Sequence, residues 1–131
     1  MANPEHLQEL EKGADSWKKW LLHFDEQGID RINVDLSGAD LSGKGKNWSE
    51  YDFTRVNLKG VNLRFSDLTK ADFLLADLSD ADLRCAKIRY AEFNQANLDN
   101  ANFANADLFR ASFNRAKLNR ANLKGIDGSI K

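Results

Sequence analysis

The sequence predicts an all-β solenoid with an α-helical cap at its N-terminus. Three observations carry this. Large apolar residues recur every five positions from Trp48 to Leu123 without a gap. Phenylalanines recur every twenty, at Phe53, Phe73, Phe93 and Phe113. Before residue 30 the apolar residues are instead spaced by three and four.

The first 30 residues read as the cap. Asn3 is a good N-cap, Pro4 suits the first helical position, and Glu5 favours the positive dipole end. Leu7, Leu10, Ala14, Trp17, Leu21 and Phe24 form an amphipathic stripe. Gly13 divides the stretch into two helices, and Gly28 stops it. A β-helix end exposes apolar interior and unpaired edges, so the stripe is expected to lie over the first coil, with Trp17 or Trp20 buried near Leu36, Leu41 and Trp48. Its other face mixes Glu, Asp and Lys, which disfavours a membrane.

Residues 31–127 read as the solenoid. The repeat centres are Trp48, Phe53, Leu58, Leu63, Leu68, Phe73, Leu78, Leu83, Ile88, Phe93, Leu98, Phe103, Leu108, Phe113, Leu118 and Leu123. Two residues before each centre a small residue dominates, with alanine at every such position from Ala71 to Ala121. Asp or Asn mostly lies between the two. On an α-helix a step of five drifts by about 140° per repeat, and on a strand it alternates faces. The chain must therefore turn once per repeat to keep every centre inward. Asp and Asn suit such corners because their side chains bond nearby backbone. Alanine leaves room for the large centre. Random placement would fill a whole phenylalanine column about once in a hundred arrangements, so the period of twenty stands independently.

Leu36 and Leu41 are two further centres, with Val34 and Ala39 as small partners. Two extra residues enter at Ser42-Gly43-Lys44-Gly45. Allowing for them, Leu36 joins the column of Leu58, Leu78, Leu98 and Leu118, and Leu41 joins that of Leu63, Leu83, Phe103 and Leu123. Residues 128–131 form a short tail. The last coil is either covered by that tail or paired with a second copy in a homodimer.

This pattern resembles the pentapeptide-repeat family. The resemblance implies a right-handed quadrilateral parallel β-helix of four to five coils, four repeats to a coil. It implies that each centre and the residue two before it point inward, so Phe53, Phe73, Phe93, Phe113, Leu58, Leu78, Leu98 and Leu118 are structural core. A helical N-terminal lid on a short array looks like the small cyanobacterial members. Some members protect DNA gyrase by imitating duplex DNA, the first alternative to a scaffold.

Composition bounds the chemistry. Nineteen Lys+Arg against twenty Asp+Glu give a net charge of −1 over 131 residues. Residues 1–45 carry net −4 and residues 46–131 net +3. A DNA mimic needs a long, strongly acidic rod, so this balance disfavours it. No dense basic patch interleaved with aromatics favours a nucleic-acid partner. The single Cys85 forms no internal disulfide, and both histidines, His6 and His23, precede the repeats. No catalytic residue, cofactor or metal is expected. The start has no signal-peptide pattern and no apolar run approaches about 20 residues, so a cytoplasmic protein is expected.

Three surface features remain. Asp52, Asp72 and Glu92 stack as like charges, a second alternative being a divalent-cation module. Lys87 sits between Asp67 and Asp107 and is expected to pair with both. Arg89 lies one coil from Phe109, and Tyr90 one coil from Arg110, as expected cation–π pairs. With the outward Leu74–Leu75 pair, Tyr90 and Phe109 make the candidate surface for an unidentified protein partner. The expected function is a non-enzymatic scaffold for protein–protein interaction.

Overall fold

A computed structural model describes residues 1–128 of the chain. Most of the expected tail, residues 129–131, lies outside the described residues. Helix α1 spans Pro4–Leu10, and α2 spans Ala14–Glu26. Asn3 caps α1 through its side chain, which accepts from the Glu5 N–H at 2.9 Å. Gly13 sits between the helices at φ 109, a value that favours glycine. A single 3₁₀ turn at Arg31–Asn33 leads into the solenoid.

From Asp35 onward the chain forms a parallel β-helix. Its sides are too short for conventional strands, so each contributes one bridge per coil. Fifteen such bridges join the described residues, all parallel. Asn47 pairs with Asp67, Asp52 with Asp72, and so on to Asp107 with Asp127, each twenty residues on. Asp35 with Asn57 and Asp40 with Asn62 are twenty-two apart, because the extra residues after Leu41 bulge outward. Coils rise by about 4.8 Å each.

Each side ends in a tight turn, and the repeat consensus explains it. The Phe53 carbonyl accepts from the Val56 N–H at 3.1 Å, and Arg55, third in that turn, has φ 66. Fourteen non-glycine residues share this left-handed conformation, at φ between 57 and 66. It costs an L-residue about 1–2 kcal/mol. Two features offset the cost. The corner N–H still joins the ladder, as when Arg55 donates to the Leu74 carbonyl at 2.8 Å. The Asp or Asn before each centre braces the turn, as when Asp52 Oδ1 accepts from the Thr54 N–H at 2.9 Å.

The interior is a column of rings and aliphatic side chains. Phe53, Phe73 and Phe93 are fully buried, as are Leu58, Leu78 and Leu98. Their rings stack at centroid distances of 5.2 Å for Phe53–Phe73, 4.7 Å for Phe73–Phe93 and 5.0 Å for Phe93–Phe113. Phe113 and Leu118 depart from the expectation of a fully buried column, because both are half-buried. They belong to the last coil, above which no further coil is described.

The lid closes the opposite end. Trp17 is fully buried, while Trp20 is half-buried. The Trp17 ring lies 6.3 Å from that of Phe53, tilted by 52°, and covers the lower end of the stack. Tyr51 fills a small-residue slot with a large ring, stacked on Phe53 at 5.6 Å, and its hydroxyl donates to the Leu10 carbonyl at 2.9 Å.

Candidate functional site

Position in the repeat decides what each outward side chain can do. The residue before each centre carries the ladder, and where it is Asp or Asn its Oδ1 accepts from the backbone N–H two residues on. Asp67, Asp72, Asp77, Asp82 and Asn97 all accept in this way. The residue after each centre lies against the wall and is mostly half-buried, whereas the next projects from the corner. This sorts the Leu74–Leu75 pair. Leu75 is 43% exposed at φ 58, but Leu74 is half-buried rather than fully outward.

The acidic column stacks in the expected register, Asp52 on Asp72 on Glu92. Its carboxylates do not converge. Asp52 Oδ2 accepts from Arg31 Nη1 at 3.0 Å, and Asp72 Oδ1 accepts from the Leu74 N–H at 3.0 Å. Among the described residues no cluster of three acidic, histidine or cysteine side chains can hold a metal ion. This geometry lends the divalent-cation reading no support.

Arg31 also ties the lid to the solenoid. It forks onto Asp25 of α2 at 3.0 and 2.7 Å while reaching Asp52. This pairing lowers the Asp25 pKa and raises that of Arg31, the hydrogen bond between them being the main cause in each case. The adjoining cleft, about 640 Å³, is lined by Asp25, Arg31, Asp52 and Arg55. Asp30 is the third acid there; Asp25 and Asp52 pair with Arg31, and Asp30 with Arg55 at 3.7 Å.

His6 is a second tie. It is 8% exposed, and its Nδ1 accepts from the Asp35 N–H at 2.9 Å. Burial among Trp20 and Phe24 pushes its pKa down, against the opposing pull of Asp35 and Glu5. The sequence pattern did not single out His6, Arg31 or Tyr51. Each lies off the periodic positions or breaks the consensus, and that departure is the only signal of their role.

The remaining outward cluster lies on the side that carries the Leu68, Ile88 and Leu108 centres. The Arg89 guanidinium lies 5.5 Å from the Phe109 ring centroid, as expected. Arg110 does not stack on Tyr90. It also lies 5.5 Å from Phe109, and Tyr90 meets Phe109 edge-on at 5.8 Å and 88°. Phe109 is thus the hub, met by Arg110 of its own coil and by Arg89 and Tyr90 of the coil before. Lys87 forms no salt bridge with Asp67 or Asp107. Arg89 Nε donates to Asp107 Oδ2 at 2.6 Å instead. Tyr90 is 45% exposed, and Phe109 is half-buried.

At the C-terminal end Phe113, Leu118, Leu123 and Ile126 are half-buried. Exposed Arg115, Lys117, Arg120 and Lys124 rim them. Among the described residues no helix is long and apolar enough to cross a membrane.

A family model described as pentapeptide repeats matches in eight copies over residues 49–84 and 86–125, more than half of the chain. A search of curated proteins finds no match. Among solved structures the chain is similar to HetL, a pentapeptide repeat protein involved in heterocyst differentiation regulation in the cyanobacterium Nostoc sp. strain PCC 7120. The two are 27% identical over 70% of this chain and 44% of HetL, with TM-score 0.49. It is also similar to alr5209, a pentapeptide repeat protein from Nostoc PCC 7120, at 32% identity over 61% of this chain and 62% of that one, with TM-score 0.48. QnrB1, a plasmid-mediated fluoroquinolone resistance protein, is 19% identical over 71% of this chain and 52% of its own, with TM-score 0.42. The chain spans less than two thirds of each of these three proteins.

Proposed function

Because the chain belongs to the pentapeptide-repeat family, we propose that it is a non-enzymatic scaffold, acting in the cytoplasm, that presents a rigid quadrilateral surface to a protein partner. One observation carries this reading. Where Asp or Asn precedes a centre, one side-chain oxygen is committed to bracing the turn, as at Asp67, Asp72 and Asp77. What projects freely is the corner series, held in a fixed lattice by backbone bonds between coils. A surface whose spacing is set by the backbone costs little conformational entropy on binding.

The charge pattern separates this reading from a topoisomerase-directed DNA mimic. Duplex DNA carries one negative charge per ~1.7 Å of axis. Residues 46–131 carry eleven acidic and fourteen basic residues, net +3. The experiment is DNA gyrase supercoiling with increasing amounts of the protein. The scaffold reading predicts unchanged supercoiling. Half-inhibition at low micromolar protein would replace it with the mimic.

A further inference from the structure

We infer that the side bearing Tyr90 and Phe109 is a docking surface for a short acidic segment of a partner protein. This rests on the scaffold reading and specifies its surface and partner chemistry. The three coils at residues 66–70, 86–90 and 106–110 present Lys70, Lys87, Arg89 and Arg110 against two acids, Asp67 and Asp107. Both acids are engaged. Asp67 Oδ1 accepts from the Thr69 N–H at 2.9 Å, and Asp107 takes Arg89 Nε on one oxygen and the Phe109 N–H on the other. Among the described residues no carboxylate forms a salt bridge with Lys70, Lys87 or Arg110. Three exposed cations thus form no salt bridge, with Glu50 and Asp67 the acids that share a cleft with Lys70 and Lys87.

The aromatic pair makes this more than a charged face. Arg110 lies over Phe109 at 5.5 Å, which fixes the guanidinium plane and leaves its N–H edges for a carboxylate. Tyr90 stands at a corner, φ 60, with 45% of its surface exposed. A large ring there gains no core burial and still bears the left-handed backbone. Tyrosine and arginine are the side chains most often found to dominate protein interfaces.

The ends of the patch define the occupant. Glu50 lies one coil below Lys70, and Asp127 one coil above Asp107. Two coil rises span only about 10 Å. A continuous phosphate backbone would run into a carboxylate at either end, whereas a short acidic segment with one apolar residue fits between them.

The test is fluorescence anisotropy of the full chain with a fluorescein-labelled peptide, Glu-Asp-Phe-Asp-Glu. Saturable, salt-sensitive binding is expected. Tyr90→Ala and Arg110→Glu should each weaken it about tenfold, and Arg120→Glu, on the diagonally opposite corner, by less than about twofold. Circular dichroism of each variant establishes that it is folded. No binding, binding indifferent to Tyr90→Ala and Arg110→Glu, or tighter binding of labelled duplex DNA overturns the inference. Capture of a native protein partner equally by wild type and Arg110→Glu would reject this face while leaving the scaffold reading intact. Capture of none would reject the scaffold.

Discussion

The indole N–H of Trp17 donates to the backbone carbonyl of Asp52 at 2.6 Å. In the solenoid that carbonyl position accepts from the coil beneath, as Asp72 accepts from Phe53. Asp52 has no coil beneath it, so a lid side chain supplies the missing donor. His6 Nδ1 and the Asn3 N–H do the same for the N–H and carbonyl of Asp35. The lid is therefore a surrogate coil as well as an apolar cover.

Trp17→Phe keeps most of the ring contact with Phe53 and removes only the donor. It should cost about 1–2 kcal/mol in chemical denaturation, the penalty of an unsatisfied buried carbonyl. Trp17→Ala should cost about 3–5 kcal/mol. If Trp17→Phe is neutral, the indole N–H contributes no net bond.

Arg31→Ala should loosen the lid, because Asp52 then loses its only ion-pair partner among the described residues. A loss of about 1–3 kcal/mol is expected, with little recovery in Arg31→Lys, which cannot fork onto Asp25. Equal stability of the Lys variant and wild type would show that charge alone suffices.

His6 gives the lid a pH dependence. Burial lowers its pKa in the folded state, so the unfolded chain binds the proton first. The stability it contributes is complete above about pH 7.5 and falls as pH drops through the ordinary histidine value near 6.5. The carboxylates with lowered values, Asp25, Asp35, Asp40 and Asp82, lose their contribution only below the ordinary carboxylate value of 3.8, in a separate window. Denaturation midpoints from pH 7.5 to 5 should decline for wild type and stay flatter for His6→Gln. Parallel curves would remove His6 from this role.

The corners respond to backbone conformation before packing. Gly60, at φ 67, has open space where a Cβ would sit, so Gly60→Ala should cost only about 1 kcal/mol. Gly125, at φ 71, would drive a Cβ into Asn105 Oδ1, so Gly125→Ala should cost more. Thermal denaturation of the two variants checks the order, which reverses if packing at Gly60 matters.

Most of the fold was legible because one constraint repeats. A five-residue period admits no ordinary helix or strand, and the Phe53–Phe73–Phe93 stack fixes the coil at twenty. Trp17 was legible for the same reason, through the helical stripe. His6 and Arg31 were not, since their partners come from the register of lid on coil, which periodicity does not encode. Phe113 is expected to be buried like its column, yet no further coil is described above it and it is half-buried. On the surface the columns gave neighbours correctly but not pairings: Arg89 outreached Lys87 for Asp107, and Phe109 rather than Tyr90 gathered both guanidiniums.

The core orders the coils energetically. Phe73→Ala should cost about 3–5 kcal/mol, and Phe113→Ala, in the half-buried last coil, about half of that. Urea titration checks this, and equal losses would mean that the last coil is covered in solution.

The scaffold claim is tested most directly by affinity capture from native lysate with the full chain as bait, after nuclease treatment. The account predicts a protein retained in near-stoichiometric amount and released by raised salt. Retention of nothing above bare resin, or of a topoisomerase subunit alone, would contradict it.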